Sequence, residues 1–178
     1  MVGFVRKLEQ SRPGTEESAM GKRWVRIRTG WEMAVMLCLM GCLGSAPGSS
    51  ADEITAFNKQ FAALHLKMDH AGILAMWAED GVDLMPGEAP LIGKKAIAAW
   101  LGEVQKEIAG HKVTTEDLEF HDIAVSGDWA SEWATEHQVV EIPGKPAHDG
   151  YGKLALVLHR ENGEWKIKQE MWNDAPKE

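Results

Sequence analysis

Cysteine is nearly missing from this 178-residue chain: there are two, Cys38 and Cys42, and none beyond them. The remaining sequence therefore has no disulfide, no thiolate zinc site and no cysteine nucleophile. Tyrosine occurs once, as Tyr151. Positive charge is short as well, with 19 Lys and Arg against 27 Asp and Glu. The deficit is uneven: residues 1–51 carry a net +3 and residues 52–178 a net −11. An acidic domain without a basic stripe repels phosphate backbones and anionic lipid heads, so no nucleic-acid partner is expected. Long apolar runs are absent too, since Ala34 to Leu43 is about ten residues and a membrane span needs about 20. No HExxH, P-loop or GxSxG occurs, and the GYGKLA of Gly150 to Ala155 lies at a strand start, where a dinucleotide loop cannot be. His65 and His70 are wrongly spaced for a metal pair on one helix face. No metal and no cofactor are expected.

What is present begins with an address. From Met20 the order is basic (Lys22, Arg23, Arg26, Arg28), then apolar, then small and breaking from Gly44 to Ala51. That is the pattern of a secretory signal. Residues 1–51 are read as signal peptide and N-terminal extension, with translation starting at Met1 or Met20, and the chain as exported, periplasmic or secreted. Ser49, Ser50 and Ala51 suit signal-peptidase cleavage, the preferred exit. Leu39 to Cys42 resembles a lipobox, which would leave Cys42 lipidated and is the one route to a membrane.

Residues 52–178 form one domain, large enough to bury roughly two-thirds of its unfolded surface. Ile54, Phe57, Phe61, Leu64 and Met68 repeat at helical spacing behind Asp52 and Glu53. Asp69 is placed to cap a second helix, His70 to Glu79, ended by Gly81. A strand over Val82 to Met85, a short partner at Pro90 to Ile92 and a third helix from Lys94 to Ala109 follow. The period then turns to alternation: Lys112 to Val125, Trp129 to Glu141, Tyr151 to Arg160 and Glu164 to Asn173. Asn162-Gly163 between the last two is a strong hairpin signal, because a type I′ turn needs positive φ at both central residues. Helices first and a strand meander after is an α+β pattern, with helices on one face of a curved antiparallel sheet.

The segment FAALHLKMDHAGILAMWAEDGVDLMPGEAPLIGKKAIAAWL, with SGDWASEW and GKLALVLHRENGEWKIKQEMWN, resembles the nuclear-transport-factor-2-like superfamily, in its SnoaL-like and ketosteroid-isomerase-like branch. The resemblance covers about residues 53 to 174. It implies a cone-shaped fold, about three helices on a strongly curved antiparallel sheet, with an apolar pocket between them and homodimers formed through the outer sheet face. The isomerase mechanism needs a carboxylate base with a Tyr and a protonated Asp as donors. By that resemblance the base position falls at Met85, the Tyr position near Phe61 and the second Asp near Gly152 or Lys153, so the steroid-isomerase mechanism is disfavoured.

Alternation puts Trp129, Ser131, Trp133, Thr135, His137 and Val139 on one strand face, and Trp165, Ile167, Gln169, Met171 and Asn173 on one face of the last strand. Because Trp165 and Ile167 are apolar, that last face is expected to look inward and Trp172 outward. The candidate ligand-binding residues are Trp77, Met85, Trp133, Tyr151, Gln169, Met171 and Asn173; the candidate acid–base residues are Asp83 and His137. Three functions stay open. The first is an exported domain binding a small apolar or amphipathic molecule. The second is an isomerase, cyclase or hydratase-like enzyme acting on a polycyclic or unsaturated substrate. The third is a dimerisation or assembly domain.

Overall fold

A computed structural model describes residues 50–177. The expected signal segment, Met20, Cys38 and Cys42 lie outside the described residues. Helix α1 spans Ser50–Leu66 and α2 His70–Met76; strand β1 spans Trp77–Leu84 and β2 Leu91–Ile92; helix α3 spans Lys94–Glu107. Four long strands follow: β3 Lys112–Ser126, β4 Trp129–Glu141, β5 His148–Glu161 and β6 Glu164–Asp174. They form one six-stranded sheet in the order β2-β1-β6-β5-β4-β3. The fold is α+β, three helices on a mostly antiparallel sheet.

The helical stripe of α1 does what its spacing requires: Ile54, Phe57 and Phe61 are buried, and with Ile97, Trp100, Leu101 and Val104 of α3 they pack on Ala130, Ala134, Leu154, Leu156, Leu158 and Ile167 of the sheet. The Asp69 carboxylate accepts the Gly72 N–H at 2.9 Å and starts α2. That helix is shorter than its period suggests. It stops at Met76, and Trp77 to Glu79, expected as helix, begin β1. Trp77 pairs with Ile167 in a parallel ladder between β1 and β6, so tertiary pairing overrides the local period here. This is the one parallel pairing in the sheet among the described residues.

The closing hairpin forms as its dipeptide dictates, with φ of 53° at Asn162 and 84° at Gly163. Beyond that turn the ladder slips. Leu158 pairs with Ile167 but Val157 with Gln169, so Lys168 is an extra residue, a bulge in β6. One inserted residue reverses the facing of everything after it. Trp165 and Ile167 point into the core as expected, but Gln169, Met171 and Asn173 are exposed, and Trp172, expected outside, is 1% exposed. The inward residues of this half are Glu170 and Trp172. On β4 the buried residues are Ala130, Glu132, Ala134, Glu136, Gln138 and Val140, which leaves Trp129 and Trp133 on the outer face at 46% and 43% exposure.

Candidate functional site

The helix-covered face of the sheet is built largely of aliphatic side chains, yet it carries five acids. Asp83 on β1, Glu116 on β3, Glu132 and Glu136 on β4 and Glu170 on β6 share this side. Burial pushes Glu132 up to about 7. Burial, reinforced by the neighbouring Glu136 charge, raises Glu116, and burial with the Asp83 charge raises Glu170. Asp83 is raised by burial alone.

Donors are arranged around some of these acids. Asn58 donates to Glu132 at 2.7 Å, and Gln138 to Glu116 at 2.6 Å. The Trp172 indole N–H donates to Glu136 Oε2 at 2.6 Å. That contact passes directly over Gly152, where a Cβ would lie 2.5 Å from Glu136 Oε2 and 2.7 Å from Trp172 Nε1. Only a residue without a side chain lets the two groups meet.

Two hollows adjoin this acidic row. The larger is an open cleft of about 470 Å³ whose walls include Ala62 of α1, Glu116 and Leu118 of β3, Glu136 and His137 of β4, Tyr151 of β5 and Pro176 of the C-terminal tail. His137 is held on both sides: Nε2 lies 2.8 Å from Asp149, Nδ1 lies 3.8 Å from Asp117, and its ring stacks on Tyr151 with centroids 4.7 Å apart. The tail is fixed by the Ala175 N–H, which donates to the Tyr151 carbonyl at 2.9 Å, and Lys177 Nζ sits 5.5 Å from the Tyr151 ring centroid. The smaller is a cavity of about 20 Å³ walled by His65, Trp77, Asp83, Met85, Trp100 and Glu170, among others.

The sequence-derived candidates therefore divide three ways. His137 and Tyr151 meet in the cleft. Asp83, Trp77 and Met85 meet in the small cavity, so the two acid–base candidates serve different hollows. Trp133, Gln169, Met171 and Asn173 meet neither: they lie on the outer sheet face, where the Trp133 indole donates to Asp122 at 2.7 Å and stacks on His121. At the positions that the sequence resemblance equates with the isomerase catalytic groups stand Phe61, 2% exposed, Met85, 7% exposed, and buried Gly152 beside exposed Lys153. None of these carries the proton-transfer group that mechanism needs. Glu79 and Asp80 pair at the surface with Lys94 and Lys168.

Sequence reasoning missed His65, Glu116, Glu132, Glu136 and Glu170. His65 is buried, its Nδ1–H donates to the Phe61 carbonyl at 2.9 Å, and burial lowers its pKa to about 4, so the ring is neutral. The available signal was the alternation of β4 itself, whose small residues Ala130 and Ala134 share parity with Glu132 and Glu136. No group of three or more His, Cys, Asp or Glu is arranged to hold a metal ion among the described residues.

Comparison with known proteins agrees with this architecture. No curated protein matches the sequence. Among solved structures, a ketosteroid isomerase-like protein from Erwinia carotovora atroseptica is 16% identical with a TM-score of 0.63, over 72% of this chain and 98% of that one. Aln2 from Streptomyces is 15% identical with a TM-score of 0.61, over 73% and 94%. An NTF2-like protein with a cystatin-like fold from Novosphingobium aromaticivorans is 19% identical with a TM-score of 0.58, over 72% and 83%. At these identities the likeness shows the fold alone. The sequence itself matches the family model of the SnoaL-like domain over residues 54–171, helix α1 through strand β6, and the chain belongs to that family.

Proposed function

We propose that this chain is an exported domain that binds a small apolar or amphipathic molecule in the cleft between α1, β3–β5 and the C-terminal tail. The observation that carries the reading is the cleft itself. Its volume of about 470 Å³ lies in the range of small-molecule sites, and it combines apolar walls at Ala62, Leu118 and Pro176 with a few polar groups at Glu116, His137 and Tyr151. Its acids disfavour an anionic ligand. The test is a compound screen by thermal shift, with Leu118→Asp and Tyr151→Ala as controls. Hits that stabilise the protein and are weakened at least tenfold by both changes support the reading. Hits indifferent to both changes refute it. Export rests on the sequence of residues 20–51; the mature N-terminus, read by Edman or mass analysis, distinguishes cleavage after Ala51 from a lipidated Cys42.

A second reading is turnover of the ligand, in the isomerase, cyclase or hydratase class. The observation favouring it is that His137 shares the cleft with Tyr151 while hydrogen-bonded to Asp149, an arrangement that orients an imidazole for proton transfer. A bell-shaped or sigmoidal pH–rate profile that His137→Gln abolishes, with ligand binding kept, would establish it. Assembly is favoured by a different observation: Trp129, Trp133 and Met171 stand exposed on the outer sheet face, which the helices leave uncovered. A homodimer through that face would bury them.

A further inference from the structure

The closing turn holds a reactive pair that neither the fold nor the cleft uses. An asparagine carries its amide carbon, Cγ, within five-membered-ring reach of the next residue's backbone nitrogen, so attack by that nitrogen is intramolecular. A side chain on the following residue crowds the nitrogen, and a helix or a ladder holds it in place. Gly163 has no side chain, and even a Cβ built there would meet nothing within 4 Å. Asn162 and Gly163 are both exposed. The ladder ends at the pair Glu161 and Glu164, so the Gly163 amide lies in the turn, outside the paired strands.

We propose that Asn162 is a self-modification site, at which the folded chain converts its own turn asparagine into aspartate and isoaspartate. The Gly163 nitrogen gives its proton to solvent base and attacks Asn162 Cγ. The N–Cγ bond forms, the Cγ–Nδ2 bond breaks, and Nδ2 takes up a proton and leaves as ammonia. One water molecule then opens the cyclic imide at either of its two carbonyls. One opening gives aspartate in the normal chain; the other leaves the chain running through the side-chain carbonyl. The net exchange is one amide and one water for one carboxyl group and one ammonia.

The structure sets this position apart from the others of like chemistry. Asn58 is 6% exposed within α1, its amide donates to Glu132 at 2.7 Å, and Lys59 follows it. Asn173 lies in β6 paired with Lys153, and Asp174 follows it. Asp80 and Asp149 also precede glycines, but Gly81 and Gly150 are buried within β1 and β5, and the two carboxylates are held by Lys168 and His137.

The two products act differently on the fold. Asp-Gly closes the same kind of turn as Asn-Gly, so the aspartyl form keeps the φ of 53° at position 162. The isoaspartyl form adds a methylene to the main chain, which a two-residue turn cannot absorb while Glu161 and Glu164 stay paired. The next register pair is Arg160 and Trp165, and both hold Glu53 of α1, Arg160 by an ion pair and Trp165 by its indole N–H at 3.0 Å. Breaking the turn therefore loosens the clamp that fastens the first turn of α1 to the sheet. Either product also adds a negative charge beside Glu161 and Glu164.

The experiment ages the purified full chain in mildly alkaline buffer, with a free peptide of residues 159–166 as reference, and follows released ammonia, intact mass and peptide maps. The expected result is up to one ammonia per chain, the mass change of an amide-to-acid exchange in the peptide that holds Asn162, and two products separable by ion exchange. The product that co-elutes with Asn162→Asp keeps the Trp165 indole N–H resonance; the isoaspartyl product shifts it and has a lower Tm. Asn162→Gln must close a larger ring, so its ammonia release should be slower by about tenfold or more. Gly163→Ala, which puts a Cβ beside the attacking nitrogen, should slow it as well. No conversion of the folded chain by the time the reference peptide has fully converted would overturn the proposal. So would conversion at Asn58 or Asn173 at an equal rate, an undiminished rate in Asn162→Gln, or an isoaspartyl product whose Trp165 resonance has not moved.

Discussion

Changing Glu132 to Gln asks whether the inner face really holds carboxyl groups against their preference for water. Glu132 is 5% exposed, accepts the Asn58 amide at 2.7 Å through one oxygen and has no partner for the other. Burial lifts its carboxyl from the ordinary 4.5 to about 7. Between those two pH values the folded protein keeps a proton that the unfolded chain has lost. Stability therefore falls as pH rises from about 4.5 through 7, and the loss persists above. At about 1.4 kcal/mol per pH unit the full penalty is about 3 kcal/mol. Relaxation of the surroundings around the ionised carboxylate reduces the expectation to about 2 kcal/mol. Gln keeps an oxygen for Asn58 and removes the charge. Urea unfolding followed by Trp fluorescence should then show near-equal stability at pH 5, and the variant ahead by about 2 kcal/mol at pH 9. A difference that is the same at pH 5, 7 and 9, or a variant less stable at pH 9, would refute the reasoning.

Trp172→Phe withdraws the indole donor from buried Glu136 and should cost about 1–3 kcal/mol in the same unfolding assay. Gly152→Ala breaks the same contact by intrusion, so the double variant should lose clearly less than the two single losses added together. Gly163→Ala places a side chain at φ of 84° in the closing turn and should lower stability by about 1 kcal/mol, seen as a shift in Tm. If the outer face assembles two copies, Trp133→Glu should convert a dimer to monomer in sedimentation velocity with the far-UV spectrum unchanged.

Much of the architecture was readable in the residues, for identifiable reasons. Asn162-Gly163 announces its turn because few other dipeptides accept positive φ twice, and Ile54, Phe57 and Phe61 announce α1 because one buried stripe must recur at helical spacing. The facing of the last strand was not readable. The bulge at Lys168 adds one residue without any side-chain signature, and it reverses Gln169, Met171, Trp172 and Asn173 together. Trp77 misled in another way: four residues after Ile73, it continues a helical stripe, and only its ladder partner Ile167, ninety residues on, makes it a strand. The acidic row escaped notice because alternation on β4 sets two tryptophans against two glutamates. Hydrophobicity then points inward for the wrong parity, and the small Ala130 and Ala134 that fit under the helices carry too little weight to reverse it.

These corrections bear directly on function. Asp83 was legible as a carboxylate near a pocket, and His137 and Tyr151 as polar groups near one. That they belong to two hollows depends on strand order and on the placement of β1 beside β6, which no local pattern encodes. The larger hollow carries the main proposal. The most direct test is a crystal structure of the protein purified from its native source, solved without added ligand. The account predicts continuous density for a small organic molecule in the cleft, within van der Waals contact of Leu118 and Tyr151 and within hydrogen-bond reach of His137 or Glu116. A cleft containing only discrete waters, or one closed by the chain's own side chains, would contradict it.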